Sequence, residues 1–443
     1  MKQRKSLNPV FLMALAVVGT ILLVRYNLRT EDAKIVIQSN GLPQSKTSNR
    51  SGDIISQSRT SVFTPEEVRS VSRQNYGGYT PTPLNSVKKT TVEYYSSDLD
   101  GKPIKIYARI YQPIGKTKVP IFGFATGTVG IGDQCAPSLE QPSKVNWANY
   151  ESHMVTYAGQ GYATVVTDYE GMRDPSRIHH YMVGALEGRA VLDSIRALIN
   201  LDKNTKTLDT KHIFLAGYSQ GGHAAYWADQ IAKTYSPELS VTGVIGWGPV
   251  MDVEETLADV VHGANINWFG PYVMTSFTDY YGENYRPENM LLPQWTTNLR
   301  SDTLNHCIDT DLSYWGHDPA KVYTQQFIQA MNSSLPGPTY QRFFDRMASN
   351  IVGNATTTSA KLINQGGRDN VVLPRQQSPA MTRICASSKG PAALKIYPEA
   401  THYTTMEQSF TDTLQWMKDL THGVAVPNQC TEPVASSPAI PST

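Results

Sequence analysis

Five short apolar runs, separated by much longer segments, constrain the fold of this chain more than any other feature. Continuous apolar runs of this length are typical of strands buried on both faces of a parallel sheet. The segment 185–200 (ALEGRAVLDSIRALIN) has apolar residues at helical spacing, and a further helix is predicted from 220 to about 235. Strands alternating with helices predict an α/β fold, a mostly parallel sheet flanked by helices. The five runs are VPIFGFA (119–125), YATVVTDY (162–169), HIFLAGY (212–218), VTGVIGWGP (241–249) and AKLINQGG (360–367).

Two other stretches complete the predicted domain, which we place at residues 86–430. TVEYY (91–95) and IKIYARIYQP (104–113) flank Asp100-Gly101, a dipeptide typical of a β-hairpin turn. Between about 251 and 359 no run resembles a strand, although aromatic residues are frequent. We expect this stretch to be an inserted helical cap that lies on the sheet.

The N-terminus indicates export. Lys2, Arg4 and Lys5 precede the apolar run VFLMALAVVGTILLV (10–24), so residues 1–28 are predicted to be a signal peptide or a membrane anchor. The rest of the chain is then extracytoplasmic, either secreted or associated with the membrane through residues 10–24.

Both ends of the predicted domain are flanked by polar sequence. Residues 29–85 are rich in Ser, Thr, Asn and Gln and are predicted to form a tether. A short helix is expected within it after Thr64, because Thr suits the cap position and Pro65 the first turn. Residues 431–443 are predicted to be a disordered tail.

Composition and cysteine spacing exclude several functions. The formal net charge is +1 in 443 residues, which gives no concentrated basic surface for nucleic acid. The four cysteines form no CxxC pair, and His179-His180 has no carboxylate or cysteine at matching spacing. We therefore expect no metal, and the chemistry that we infer below needs no cofactor.

The sequence LAGYSQGG (215–222) places Ser219 between two glycines, directly after an apolar run and before a helix-forming one. This is the G-x-S-x-G pattern of a strand-to-helix turn that exposes a nucleophilic serine. An ordinary tight turn with a capping serine is the alternative. The strand before Ser219 and the helix after it favour the nucleophile.

A nucleophilic serine needs a histidine base and a carboxylate to orient that base. His402 follows a predicted strand in ALKIYPEATHYTTM, and Asp369 follows another in AKLINQGGRDNVVLP. Loops at the carboxyl ends of parallel strands converge on one edge of a sheet. Ser219, Asp369 and His402 are therefore predicted to form a catalytic triad, although a surface histidine and a turn aspartate are also consistent with these loops.

The oxyanion of the reaction needs two main-chain N–H donors. The first is predicted to be that of Gln220, next to the serine at a helix N-terminus. The second should come from the loop TGTVGIGDQ (126–134), where Gly127 and Thr128 are the candidates.

At this point the chain resembles the secretory lipase family, the lipase A-type α/β-hydrolases, over about residues 90–425. The resemblance implies an α/β-hydrolase fold with a helical cap before the acid, the triad Ser219–Asp369–His402, and hydrolysis of acyl esters. Many members have His-Gly where this chain has Thr126-Gly127. The motifs that carry the resemblance are GDQCAPS (132–138), VVTDYEGM (165–172), VLDSIRAL (191–198), GYSQGGHAA (217–225), the loop at Asp369 and THY (401–403).

An even number of cysteines in an exported protein predicts two disulfides. Cys385 and Cys430 flank the His402 loop and the helix after it, and are expected to pair. Cys135, after the predicted oxyanion loop, would then join Cys307 in the cap.

These observations predict an exported serine carboxylester hydrolase, a lipase or esterase that acts on lipid or other acyl esters. A peptidase or an acyltransferase could use the same triad, and a non-catalytic surface binding protein could share the fold. Five cap aromatics could line an acyl tunnel, or could simply form the core of the cap: Trp268, Phe269, Trp295, Trp315 and Phe327.

Overall fold

The computed structural model describes residues 50–77, 82, 85–141, 147–264, 266–333 and 336–431. The predicted signal peptide or anchor, residues 29–49 of the predicted tether and residues 432–443 of the predicted tail lie outside this range. Within it, no helix combines the length and the apolar character that a membrane span requires.

Ten strands form a single sheet in the order β1-β3-β4-β6-β5-β7-β8-β9-β10, with β2 beside β3. The six strands from β5 to β10 are parallel, and the hairpin β3–β4 adds an antiparallel side. The predicted mostly parallel sheet is confirmed. The strands are β1 (Ile54–Gln57), β2 (Ser61–Phe63), β3 (Val87–Ser97), β4 (Pro103–Pro113), β5 (Val119–Ala125), β6 (Ala163–Thr167), β7 (Leu208–Tyr218), β8 (Val241–Trp247), β9 (Ala360–Gly366) and β10 (Ala392–Tyr397).

Some helices pack against the sheet, and others form the cap described below. Two of them, α3 and α4, pack against each other and against the central strands, and most of their residues are buried. The helices of the described chain are α1 (Pro65–Tyr76), α2 (Tyr150–Gly159), α3 (Gly184–Asp202), α4 (Gln220–Tyr235), α5 (Val253–Val261), α6 (Phe269–Tyr281), α7 (Pro287–Met290), α8 (Pro293–Thr296), α9 (Leu299–Asn305), α10 (Ile308–Trp315), α11 (Gln325–Met331), α12 (Gln341–Ser349), α13 (Gln377–Ser387), α14 (Thr405–Gln408) and α15 (Phe410–Thr421).

Part of the segment predicted as a tether is folded, which corrects that prediction for residues 54–76. β1 and β2 pair with β3, and α1 begins after Thr64, whose side chain caps the helix. Val68 and Tyr76 of α1 are fully buried. The composition resembles a linker because edge strands pair through their main chain and α1 buries only one face, so few apolar side chains are needed.

The segment between β8 and β9 contains helices α5–α12. Its apolar side chains form most of a second core, distinct from the one around the sheet, to which neighbouring loops and α3 also contribute. Two disulfides fasten the structure. Cys135–Cys307 joins the region after β5 to the cap, and Cys385–Cys430 joins α13 to the C-terminal segment, which is the pairing predicted above.

Candidate active site

Ser219 lies in a tight turn between β7 and α4. Its φ of +55° and ψ of −118° are unusual for a residue with a side chain. The chain passes too close to itself here for larger residues: a β-carbon on Gly217 would lie 1.9 Å from the Gly221 carbonyl oxygen, and one on Gly221 would lie 1.9 Å from that of Ala125. The two glycines are therefore what allows this strained turn.

His402 and Asp369 form a buried hydrogen-bonded pair. The Nδ1 atom of His402 lies 2.7 Å from Oδ2 of Asp369, and both residues are 3% exposed. The other carboxylate oxygen accepts the main-chain N–H groups of Val371 and Val372, each at 2.9 Å. Because an ionised carboxylate only accepts, it holds the Nδ1–H tautomer and leaves Nε2 able to take a proton.

The pair lies beside the serine turn. A β-carbon on Gly248 would be 2.9 Å from both Asp369 Oδ2 and His402 Nδ1, and the ring of Tyr218 lies 4.8 Å from that of His402. Among the described residues, the Ser219 hydroxyl is not hydrogen-bonded to His402. Catalytic hydrogen bonds are often long in proteins without substrate.

The two candidates for the second oxyanion donor differ in their surroundings. The Tyr150 hydroxyl lies against Gly127, since a β-carbon on Gly127 would be 3.0 Å from it. Thr128 uses its side chain, with its hydroxyl 2.8 Å from that of Tyr181. The N–H of Gln220 begins α4, where the first N–H groups of a helix lack intrahelical partners.

Behind the serine turn lies a buried polar network that the sequence did not predict. The Gln220 side-chain amide lies 2.7 Å from both Glu187 Oε1 and His179 Nε2, and Glu187 Oε2 lies 2.7 Å from His223 Nδ1. The sequence feature that could have revealed this network is Glu187, a carboxylate one turn before Val191 on the apolar face of α3.

The pKa shifts of Glu187 and His179 indicate which groups in this network are charged. Burial opposes ionisation of Glu187, but the hydrogen bond and the charge of His223 hold the pKa of that carboxyl below its ordinary value. Burial lowers the pKa of His179 to about 4. A neutral His179 accepts the hydrogen bond of the Gln220 amide at Nε2.

The neighbouring His180 has a different environment. It lies between Glu170 Oε2, at 2.7 Å, and Asp279 Oδ2, at 3.1 Å. Burial opposes its charged form, yet the two carboxylates raise the pKa of His180 overall. The described residues contain no cluster suited to a metal ion.

Most of the five cap aromatics named above form the core of the cap. Phe269, Trp315 and Phe327 are at most 2% exposed within the cap, and Trp295 packs against them. Trp268 is buried too, but it also lines a cavity beside the site.

Comparison with known proteins identifies the family. The sequence profile described as "Secretory lipase" matches residues 142–425, more than half of the chain. This chain belongs to the secretory lipase family. The predicted resemblance is confirmed for the matched part of the chain, which contains the serine turn, the cap, the acid loop and the histidine loop described above.

Three curated relatives show how far the sequence similarity extends. Lipase A of Moesziomyces aphidis is 31% identical over 39% of the chain, and Lipase 1 of Candida albicans is 27% identical over 55%. A secreted triacylglycerol lipase of Malassezia furfur is 24% identical over 68% of the chain. The alignments span 37%, 50% and 60% of these three relatives, respectively.

Solved structures share the fold. A putative hydrolase of Legionella pneumophila superposes with a TM-score of 0.73 at 18% identity, covering 84% of this chain and 99% of its own. The rice cell wall degrading esterase LipA of Xanthomonas oryzae gives 0.67 at 18% identity, over 84% and 97%. Candida antarctica lipase A gives 0.65 at 18% identity, over 89% of each chain. The fold is an α/β-hydrolase fold.

Proposed function

We propose that this chain is an exported serine hydrolase of carboxylic esters, with Ser219, His402 and Asp369 as its triad. The observation that carries the proposal is the buried His402–Asp369 pair beside the serine turn, since it leaves Nε2 of the imidazole free to act as a base.

In the proposed reaction, the Ser219 oxygen attacks the ester carbonyl while His402 Nε2 takes the hydroxyl proton. The bond to the alcohol breaks, and the imidazolium gives the proton to the leaving oxygen. Water then attacks the acyl-serine and loses a proton to His402. The imidazolium returns that proton to the Ser219 oxygen as the bond to the acyl carbon breaks and the carboxylic acid is released. Asp369 stabilises the imidazolium throughout.

The proposed oxyanion donors are the N–H groups of Gln220 and Thr128. Gln220 stands at the positive end of the α4 dipole. We assign the second donor to Thr128 rather than Gly127, because the Tyr150 hydroxyl already lies against Gly127.

The proposed substrates are acyl esters, lipid esters among them, and the proposed location is outside the cytoplasm. Both are supported by relatives named as lipases and as a secreted triacylglycerol lipase. A peptidase or an acyltransferase on the same triad is not favoured by any of these relatives' names.

The test is labelling by a fluorophosphonate probe together with hydrolysis of p-nitrophenyl butyrate. We expect wild-type protein to react in both assays, and Ser219→Ala to lose at least about 10³-fold in turnover and all labelling. Ser313→Ala in α10 is the matched control, since that hydroxyl bonds the Thr310 carbonyl on its own helix. Turnover retained by purified, folded Ser219→Ala protein would refute the assignment.

A further inference from the structure

A cavity of about 160 Å³ opens beside the proposed triad. Apolar protein cavities of about this size can hold a benzene-sized guest. Its walls come from the segment before α2, the loop before α6, helix α10 and the residue after His402. The lining residues are Trp147, Ile266, Trp268, Ile308, Asp309, Leu312 and Tyr403.

The position of the cavity assigns it to one part of an ester. Tyr403 directly follows His402, and their rings lie 5.8 Å apart. Another lining residue, Ile308, donates its N–H to the Val129 carbonyl at 3.0 Å, so α10 adjoins the predicted oxyanion loop. Because His402 must pass a proton to the leaving oxygen, the alcohol portion of the ester lies on the histidine side of the reacting carbon.

The lining combines aromatic surface with one carboxylate. Trp268 is 5% exposed in the wall, whereas Tyr403 is 73% exposed at the rim. Asp309 is exposed and forms no ion pair with any cationic side chain in the described ranges. Aromatic faces together with a carboxylate attract an organic cation, and attract a quaternary ammonium group in particular.

We propose that this cavity binds the alcohol portion of the substrate, and that Asp309 and the aromatic walls make it select a quaternary-ammonium alcohol over a neutral alcohol of the same shape. This inference rests on the proposed ester hydrolysis. It adds a charge preference that the triad itself does not supply.

The test compares two esters that differ only in charge, butyrylcholine and 3,3-dimethylbutyl butyrate. We expect the kcat/KM of the cationic ester to exceed that of the neutral one by about three- to tenfold at low ionic strength, and the ratio to shrink as salt is added. Asp309→Asn should lower the ratio towards one, and Tyr403→Leu should lower it in part. Asp100→Asn in the β3–β4 hairpin removes the same unit charge elsewhere and should keep the wild-type ratio.

A ratio at or below one in wild-type protein, or an Asp309→Asn ratio equal to that of wild type, overturns the charge selection while ester hydrolysis stands. If neither ester nor p-nitrophenyl butyrate is hydrolysed and no probe labels the protein, the proposed function fails and this inference fails with it.

Discussion

Glu187 and His223 form a fully buried pair directly behind the serine turn, with Oε2 of the glutamate 2.7 Å from Nδ1 of the histidine. The Nε2 atom of His223 lies 2.8 Å from the Asn350 carbonyl. Because a carbonyl only accepts, Nε2 carries a proton, and a second proton lies in the hydrogen bond between Nδ1 and the carboxylate. The pair therefore has no net charge, and it holds the side chain of Gln220 in place.

We expect Glu187→Gln to destabilise the protein by about 3–5 kcal/mol, because removing one partner leaves the other buried without compensation. Chemical denaturation measures this. Since Gln220 loses its anchor, kcat should also fall, by about tenfold or more. The matched control is Glu238→Gln, which breaks an ion pair with Arg196 whose glutamate is 53% exposed and should cost less than about 1 kcal/mol. Equal losses in the two variants would contradict a structural role for the buried pair.

Gly248 provides a test of the proposed triad that leaves its three residues unchanged. Gly248→Ala places a β-carbon 2.9 Å from both Asp369 Oδ2 and His402 Nδ1, so the pair must move. A displacement of about 1 Å can reduce kcat about 10²-fold, which ester hydrolysis measures.

Gly282→Ala serves as the control for that variant. Gly282 also has a positive φ, of +63°, but apart from its own local backbone no atom of the described residues lies within 4 Å of the position that a β-carbon would take there. The substitution should lower stability by a similar amount through backbone strain and leave kcat unchanged. If both variants keep wild-type kcat, the Asp369–His402 pair does not act in the reaction.

Both disulfides should contribute to stability, but only Cys135–Cys307 should also affect kcat/KM. The Cys135–Cys307 bond spans 172 residues and the Cys385–Cys430 bond spans 45, so their loss costs up to about 5 and 4 kcal/mol in the chain-entropy treatment. Replacing the first pair by serines should also reduce kcat/KM, because Cys135 and Cys307 hold the cap against the proposed oxyanion loop.

Serine replacement of Cys385 and Cys430 is the comparison, and should lower the midpoint of thermal unfolding with little change in kcat/KM. Both variants are assayed well below their unfolding midpoints. An unchanged kcat/KM in the Cys135→Ser/Cys307→Ser protein would show that the cap keeps its place without the bond.

Asp311 should make stability fall as the pH rises. Burial, the largest influence, raises the pKa of its carboxyl from 3.8 to about 7. The folded protein then binds this proton more tightly than the unfolded chain does, so the contribution of Asp311 is complete below about pH 4 and is lost as the pH rises through 7. The shift corresponds to at most roughly 4 kcal/mol.

Unfolding free energies of wild type and Asp311→Asn, measured from pH 4 to 8, test this expectation. Asparagine does not titrate, so wild type should lose stability relative to the variant across this range. Asp345→Asn, which removes an exposed carboxylate on α12, should follow the wild-type curve. Parallel curves for wild type and Asp311→Asn would contradict the raised pKa.

The sequence by itself determined the features that depend on local pattern. The central parallel strands are continuous apolar runs, and a strand with no polar face fits few places other than the middle of a covered parallel sheet. The turn at Ser219 follows from its flanking glycines, since only they permit the close approach seen there. Asp369 and His402 could be selected as candidates because they follow β9 and β10, and parallel neighbours end at one edge of the sheet.

Only the tertiary structure decided the features that depend on distant contacts. Glu187 and His223 are 36 residues apart, and nothing in their spacing indicates that they meet. The polar segment 54–76 is folded because β3 and the core supply its partners. Gly127 and Thr128 are equivalent candidates in the sequence, and only folding places the Tyr150 hydroxyl against Gly127 and the Tyr181 hydroxyl 2.8 Å from that of Thr128. Local patterns specify which elements form, whereas hydrogen-bond partners and burial belong to residues brought together only by folding.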